Sequence, residues 1–592
     1  MRVAVVDKER CRSDKCDHVC IRFCPMVRTR REAIRIDDEG KAYVSEFICS
    51  GCGICVRKCP FDALRIVNLP DELEKDHIHR FGPNEFTLFR LPTPRKNEVV
   101  GLIGRNGIGK STILKILSGE LVPNMGNHEK PAEKEAVLEY FRGKPLEEYL
   151  GGVYDGTMKA VHKPQYVDKI PRVVKGKVGD VLRKLDERGV LGTIIDDLEI
   201  GHLLDRDVDV LSGGELQRVA IATAICRDAQ IYLLDEPSSF LDIYQRTRAA
   251  RIIRNLADED RMVVTAEHDL AVLDYMSDDV FILYGEPDVY GIVSNVHVVR
   301  EGINIYINGY IPDENVRFRQ TPIVFHEKPP MEAQEQTYNL LEWSRLVKDY
   351  GAFKLEVEAG GISMGEVVGI LGMNGIGKTT FVKMLAGVEE PTEGGVSDPD
   401  IKVSYKPQYI SGDIEGTVED VLRKAAGTKY VESWYRAEIM EPLNVKRFLD
   451  RDVGILSGGE LQRVAIAECL SRDADIYLLD EPSAYLDVEE RLAMAHAIRR
   501  ITKMRAVTAF VVEHDIVTQD FIADKLMVFT GEAGVYGHAG DPVSLEDGMN
   551  GFLKEMEVTF RRDQDTKRPR VNKPDSRLDR EQKQSGRYYY SL

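Results

Sequence analysis

The stretch from Glu98 to Lys110 reads EVVGLIGRNGIGK and runs on into Ser111 and Thr112. Its first half is an apolar run of strand length. Its second half, Gly104, Asn106, Gly107, Gly109 and Lys110, is a loop whose glycines let the backbone curl so that successive N–H groups face phosphate oxygens. The lysine then reaches the β- and γ-phosphates, Ser111 is placed to ligate magnesium, and a helix should start at this point. The same pattern returns as EVVGILGMNGIGKTT from Glu366 to Thr380, with Gly372, Asn374, Gly375, Gly377, Lys378, Thr379 and Thr380 in the matching positions. Two Walker A loops, each after an apolar strand, make most of the chain an internal repeat of P-loop domains.

The partners of the loop recur in order. LSGGE at Leu211–Glu215 and at Leu456–Glu460 is followed in both places by LQRVAIA, an apolar run of helical character. IYLLDEP at Ile231–Pro237 and Ile476–Pro482 reads as a buried parallel strand ending in two carboxylates. From signature serine to Walker B aspartate is 23 positions in each copy. Gln165 and Gln408 supply Q-loops, Ser238–Asp242 and Ser483–Asp487 D-loops, and His268 and His514 switch histidines. The fold class is therefore α/β, with two P-loop ABC-type nucleotide-binding domains in tandem.

The residue types fix the expected chemistry. Phosphoryl transfer to water needs charge neutralisation and an aligned nucleophile. Lys110 and Lys378 take charge, while Asp235 and Asp480 hold the shell of a magnesium ion ligated by Ser111, Gln165, Thr379 and Gln408. Glu236 and Glu481 polarise the attacking water, and His268 and His514 contact the γ-phosphate. In this class the cassettes pack head to tail. Ser457 and Gly459 should complete the site of Lys110, Gln165, Asp235, Glu236 and His268. Ser212 and Gly214 should complete that of Lys378, Gln408, Asp480, Glu481 and His514. Phe81 and Tyr350, about 28 residues before the lysines, are candidates for stacking on adenine.

Eight of the ten cysteines lie before residue 60, and Cys226 and Cys469 read as small core residues. Cys49, Cys52, Cys55 and Cys59-Pro60 have the spacing of a four-iron site, and Cys11, Cys16, Cys20 and Cys24-Pro25 are a stretched variant. Two structural zinc sites are the alternative. The pair of runs resembles a two-cluster ferredoxin. That resemblance implies that Cys24 joins Cys49, Cys52 and Cys55 on one 4Fe-4S cluster and Cys59 joins Cys11, Cys16 and Cys20 on the other, within a small α+β domain.

The copies differ between lysine and Q-loop, 55 positions in the first and 30 in the second. The surplus carries Ala136, Val137, Tyr140 and Phe141 at helical spacing, a break at Gly143-Lys144-Pro145, and a second apolar run. It predicts a helix-loop-helix insert near 130–155, either a solvated elaboration or a docking element. Gly302-Ile303-Asn304 with Arg317-Phe318-Arg319 follows the first cassette, and Gly548-Met549-Asn550 with Phe560-Arg561-Arg562 the second, as paired hinges. From Arg561 to Leu592 ten Lys or Arg stand against five Asp or Glu, with Tyr588, Tyr589 and Tyr590 near the end, which suits RNA contact or a strap across the cassettes.

The net charge of -18 argues against broad affinity for nucleic acid, and no uninterrupted apolar run reaches the length of a membrane span. The expected boundaries are 1–75 for the cysteine domain, 76–295 and 336–545 for the cassettes, 296–335 for the first hinge and 546–592 for the second hinge with the basic segment. This order resembles the RNase L inhibitor family, ABC subfamily E. The resemblance implies an ATPase that splits ribosomes into subunits after termination or rescue. It also implies contact mainly with the small subunit and its RNA, a release-factor-like partner, a cytoplasmic setting without a membrane, and a monomer pairing its own cassettes. The LSGGE ending, in place of LSGGQ, agrees with it. A transporter subunit, a DNA-repair ATPase and a redox-linked soluble ATPase are the rivals; the first two lack their coupling or coiled-coil segments here.

Overall fold

The computed structural model describes residues 2–46, 48–68, 76–82, 85–130, 133–325, 339–396, 401–408 and 416–589. Each cassette is built on one sheet. In the first, Val99–Ile103 is central, with Met262–Ala266, Ile231–Asp235 and Ala160–Lys163 added in parallel on one side. In the second, Val367–Leu371, Thr508–Val512, Ile476–Asp480 and Val403–Lys406 repeat that order. These strands are apolar on both faces because helices cover both faces of a parallel sheet. Lys110–Leu117 and Lys378–Leu385 follow the central strands, and the signature helices are Gly213–Cys226 and Gly458–Ser471. Every strand therefore delivers its carboxyl end, where its motif sits, to one edge.

The head is a small α+β unit. Arg2–Val6 pairs antiparallel with Leu64–Asn68, Ile34–Ile36 pairs with Ala42–Val44, and the cysteine runs lie on short helices at Val19–Arg22, Pro25–Arg28 and Ile54–Lys58. In the first cassette two further helices, Lys134–Tyr140 and Pro145–Asp155, turn at Gly143 and bury Val137, Phe141, Leu146 and Leu150. Ala136 is exposed there, and the half-buried Leu138 takes its place on the apolar face.

Each hinge begins with a helix, Val299–Asn308 and Leu545–Glu555. The first sheet runs through Val298, two residues past the expected start of the first hinge at 296, and the second of these helices starts at Leu545, one residue before the expected 546. Gly302 and Gly548 are needed for contact rather than for turning: a Cβ on Gly302 would strike Val280, and one on Gly548 would lie 2.6 Å from Leu526 Cβ. The ends of the expected domains at 69–75 and 326–335, and Tyr590, lie outside the described residues. Among the described residues no helix is long and apolar enough to cross a membrane.

Candidate active sites and cysteine cage

Gly109 and Gly377, at φ 100° and 97°, cap the P-loop helices in the left-handed region that a side chain resists. Lys110 Nζ donates to the carbonyls of Gly104 and Arg105, both at 2.9 Å, and Lys378 Nζ to those of Gly372 and Met373 at 2.8 and 2.6 Å. Burial lowers the pKa of both lysines, opposed by the neighbouring carboxylates. The rings of Phe86 and Phe353 back the same glycines: a Cβ on Gly109 would lie 2.7 Å from Phe86 Cζ, and one on Gly377 3.1 Å from Phe353 Cζ. Phe81 is half exposed and stands edge-on to His79, whereas Tyr350, also half exposed, stacks on Phe353.

Glu236 and Glu481 occupy the left-handed region at φ 46° and 47°, an uncommon and costly conformation for glutamate. Their backbones are held on both sides. Glu236 N donates to Ala266 O at 2.9 Å, and its carbonyl accepts from Gln217 Nε2 at 2.8 Å and Lys163 Nζ at 3.2 Å. Glu481 repeats this with Val512, Gln462 and Lys406. Burial lowers the pKa of Lys163 and Lys406 to about 8. Gln165 Nε2 donates to Glu236 Oε1 at 2.7 Å and Gln408 Nε2 to Glu481 Oε1 at 2.8 Å, with His268 and His514 Nε2 each 3.3 Å from the same oxygens. Burial works against the charge of both glutamates, yet the histidine contacts and the P-loop lysines prevail and bring each pKa down to about 2. Burial instead raises Asp235, and brings Asp480 up to about 6.

Asp235 Oδ1 and both carboxylate oxygens of Asp480 are buried without a hydrogen bond of ordinary geometry, although the hydroxyls of Ser111 and Thr379 stand beside them. Open acceptor sites next to a hydroxyl suit a hard cation such as magnesium.

The halves meet through the D-loops. Asp242 Oδ1 caps its own helix at Gln245 N, 2.9 Å, while its Oδ2 accepts from Asn374 N of the other Walker A loop, also at 2.9 Å. Asp487 does the same with Glu490 N at 2.9 Å and Asn106 N at 3.0 Å. Phe240 and Tyr485 meet edge to face between them, 5.8 Å apart. Ser212 and Ser457 are engaged with their own helices, each donating from Oγ to the third residue, Glu215 or Glu460, at 2.8 Å. Gly214 and Gly459 pack on the carbonyls of Phe240 and Tyr485 of their own D-loops. The structure thus brings the D-loops, not the signatures, onto the opposite Walker A loops.

In the head, Cys24, Cys49, Cys52 and Cys55 line one cavity. Burial raises Cys55 to about 12, with Cys49 and Cys52 adding to it, and raises Cys20 to about 11, with Cys16, Cys11 and Cys59 adding. Two thiol neighbourhoods thus exist, each drawing a member from the other run. Backbone N–H groups of Ala4 and Gly51 point at Cys49 Sγ, of Ala42 at Cys11 Sγ and of Ala63 at Cys59 Sγ, at 3.3 to 3.4 Å. Such donors stabilise thiolates around a cluster.

Tandem cassettes with this strand order, joined to a cysteine-rich head, define an ABC-class ATPase with an iron-sulfur domain. The family model described as ABC transporter matches residues 93–239 and 359–484, one for a possible Fer4-like domain in RNase L inhibitor matches 1–32, and a 4Fe-4S binding domain matches 42–65. An uncharacterised ABC transporter ATP-binding protein of Methanocaldococcus jannaschii is 54% identical over all of this chain and 98% of its own length. Translation initiation factor RLI1 of Saccharomyces cerevisiae is 46% identical, over the whole chain and 98% of its length. An archaeal chain from a structure described as ribosome-bound archaeal Pelota and ABCE1 is 53% identical with a TM-score of 0.94, covering 100% of this chain and 99% of its own. Another, an archaeal ribosome recycling factor in complex with the ribosomal stalk protein aP1, is 54% identical with a TM-score of 0.84, covering 88% of this chain and all of its own. The chain belongs to the RNase L inhibitor family, ABC subfamily E.

Sequence reading passed over Phe86 and Phe353, which stand 24 and 25 residues before the lysines, and the buried Lys163 and Lys406. The signal was present: FTL and FKL precede the two loops, and both lysines open a KPQY repeat.

Proposed function

We propose that this protein is a ribosome recycling factor that splits ribosomes into subunits after termination or rescue, driven by ATP-dependent closure of its two cassettes. The observation that carries this reading is the reciprocal clasp of Asp242 on Asn374 and Asp487 on Asn106. A nucleotide on either Walker A loop bears directly on the opposite half. In each site the P-loop lysine holds the γ-phosphate, the ionised glutamate with its glutamine orients water, and the switch histidine contacts the phosphate being lost. Magnesium, beside Ser111, Gln165 and Asp235 or Thr379, Gln408 and Asp480, supplies positive charge against the phosphates. Closure brings Ser457 and Gly459 to the first site and Ser212 and Gly214 to the second. Phe86 and Phe353, with Phe81 and Tyr350 beside them, give adenine an aromatic face.

The head is joined to that motion. Val3, Val5 and Val67 pack on Val289, and Arg65 pairs with Glu286 at 2.9 Å, on the turn whose Asp288 N donates to Gly107 O of the first Walker A loop. From the other cassette Arg451 joins Glu9 of the head, 3.0 Å, to Glu460 of the signature, 2.9 Å. Closure therefore pushes the head, a unit cross-braced by two 4Fe-4S clusters held on Cys24, Cys49, Cys52 and Cys55 and on Cys11, Cys16, Cys20 and Cys59. The similarity to a chain bound with Pelota on the ribosome and to a recycling factor in complex with a ribosomal stalk protein supports a ribosome and a release-factor-like protein as partners. To these we add contact mainly with the small subunit and its RNA, made in the cytoplasm by a monomer.

Sedimentation of the protein with ribosomes through sucrose tests the reading: subunits should appear with ATP and with a nonhydrolysable analogue but not without nucleotide, and the analogue should leave the closed protein bound to a subunit. Anaerobically purified protein should contain about eight iron and eight sulfide per chain. Deleting residues 1–75 should leave most ATPase activity and abolish splitting, and splitting by the whole protein should need no electron donor. Normal splitting by the truncated protein would end the mechanical account.

A further inference from the structure

Asp274 stands six residues after His268, and Asp520 six after His514. Each lies on the helix that follows its switch histidine, Leu270–Met276 or Ile516–Ile522, and each is buried. A carboxylate is kept in such a place only with a strong partner. Both partners come from one small element, the C-terminal hairpin of Phe560–Arg562 and Pro569–Val571.

Arg562, on the first strand, donates to Asp520 through Nη1 and Nη2 at 2.8 and 2.6 Å. Arg570, on the second, donates to Asp274 through Nε and Nη2 at 2.6 and 2.7 Å. A third guanidinium, the fully buried Arg568, lies 3.1 Å from Asp274. In the hairpin register Arg562 faces Pro569 and Arg561 faces Arg570, so the two forks leave adjacent rungs and end in different cassettes. Two-bond arginine forks fix orientation as well as distance. The hairpin is itself braced: Thr559 Oγ1 donates to Asp579 Oδ1 at 2.6 Å, Gln582 Nε2 to Phe560 O at 2.9 Å, and Asn304 Nδ2 of the first hinge to Asp563 Oδ1 at 3.1 Å. Beneath it a small cavity with a mixed lining, Arg246, Asp269, Val272, His514, Ile516 and Phe560 among it, lies where the hairpin meets both switch helices.

We propose that the hairpin is a crossbar that couples the two ATP sites, with Arg562 and Arg570 as positioning residues that make the two switch helices move together. The proposal rests on the assignment of the ATP sites made above. It gives the described basic residues of the C-terminal segment two uses: Arg562, Arg568 and Arg570 are spent inside the molecule, whereas Lys573, Arg577, Arg580 and Arg587 remain on the surface.

The test uses the full chain carrying Lys110→Ala, which disables the first Walker A loop, and a nonhydrolysable ATP analogue with magnesium. Amide hydrogen exchange is followed in 270–276 and 516–522. With the crossbar intact, nucleotide at the second site should slow exchange in both segments by about fivefold or more. With Arg570→Gln added, the slowing should remain in 516–522 and vanish from 270–276. Arg570→Lys, which keeps the charge and gives up the fork, should fall between and serves if the glutamine variant does not fold. A merely structural arginine would raise exchange in both segments before nucleotide is added and leave their joint response intact. Joint slowing that survives both substitutions, or no response of 270–276 with the hairpin whole, overturns the crossbar. A response in Lys110→Ala/Lys378→Ala would strike instead at the assignment of the lysines, and the crossbar would still be judged by whether the two segments respond together.

Discussion

The two cassettes agree wherever a residue faces phosphate and diverge where the same elements face the partner half. Walker A lysine, Walker B pair, Q-loop glutamine and switch histidine are the same in both, and so are the backbone hydrogen bonds that fix Glu236 and Glu481; only Glu236 also accepts from a D-loop hydroxyl, Ser239 Oγ at 3.0 Å, where the second copy has Ala484. Beside them, Arg105 of the first Walker A loop corresponds to Met373 in the second, and Glu489 of the second D-loop helix to Tyr244 in the first. Where the first loop meets the second cassette the contact is ionic: Glu489 lies 3.5 Å from Arg105 Nε and accepts from Arg319 at 2.8 Å. Tyr244, at the position of Glu489, turns instead to the second hinge helix, edge-on to Phe552 at 5.6 Å and beside Glu555. The difference teaches that one chemistry is run twice through two unlike joints.

The largest test removes the chemistry and leaves the joints. Glu236→Gln or Glu481→Gln should lower turnover of its own site by about 100-fold or more while ATP still binds, if each glutamate orients the attacking water as proposed. Single-turnover hydrolysis measured in each variant reports the other site alone. Equal residual rates would mean that the unlike joints do not matter to turnover.

A smaller effect is expected at the clasp. Asp242→Ala removes a helix cap and the bond to Asn374 N, and Asp487→Ala the matching pair, each worth about 1–2 kcal/mol or roughly tenfold. The loss should fall on the site across the interface: Asp242→Ala on the site of Lys378, Asp487→Ala on that of Lys110. Site-specific turnover in the Glu236→Gln and Glu481→Gln backgrounds would reveal it. A loss confined to the variant's own cassette would leave the clasp a local cap only.

Much of this was legible because phosphate chemistry fixes spacing. The glycines, lysine, signature and carboxylates of each cassette must stand at set intervals along one strand–loop–helix frame, and the cysteine runs likewise carry their ligand pattern locally. What could not be read is held by residues hundreds of positions apart. Nothing in the sequence near Asp274 names Arg570, and Asp242 gives no sign of Asn374. The C-terminal run shows why composition alone divides: ten basic residues suit RNA or a strap equally, and only burial separates Arg568, fully enclosed, from the exposed Arg577. The aromatics ahead of the lysines were legible only in part: a spacing near 28 picks Phe81 and Tyr350, and it takes the folded loop to show that Phe86 and Phe353, just before the strands Thr87–Phe89 and Lys354–Val357, stand between those rings and the P-loop glycines.

The subtlest test exchanges the joints themselves. Arg105 and Glu489 are each partly open to solvent, and water screens such a pair, so it contributes only about 0.2–1 kcal/mol, at most about fivefold in the affinity of the first site. Its signature is therefore salt dependence rather than size. Arg105→Met should bring the salt dependence of ATP binding at the first site down to that of the second, because what remains is the dependence that the phosphates and the P-loop lysine give both sites alike. The converse change, Met373→Arg with Tyr244→Glu, should add to the second site the extra salt dependence seen at the first. Titration of a fluorescent ATP analogue between 50 mM and 500 mM salt, with the opposite Walker A lysine replaced, measures each site alone. If both substitutions leave the two salt slopes as unequal as before, the inequality arises elsewhere. The head is then the next place to look, because Glu9 reaches Arg451 beside the second signature and no head residue is paired with the corresponding Arg206 of the first among the described contacts.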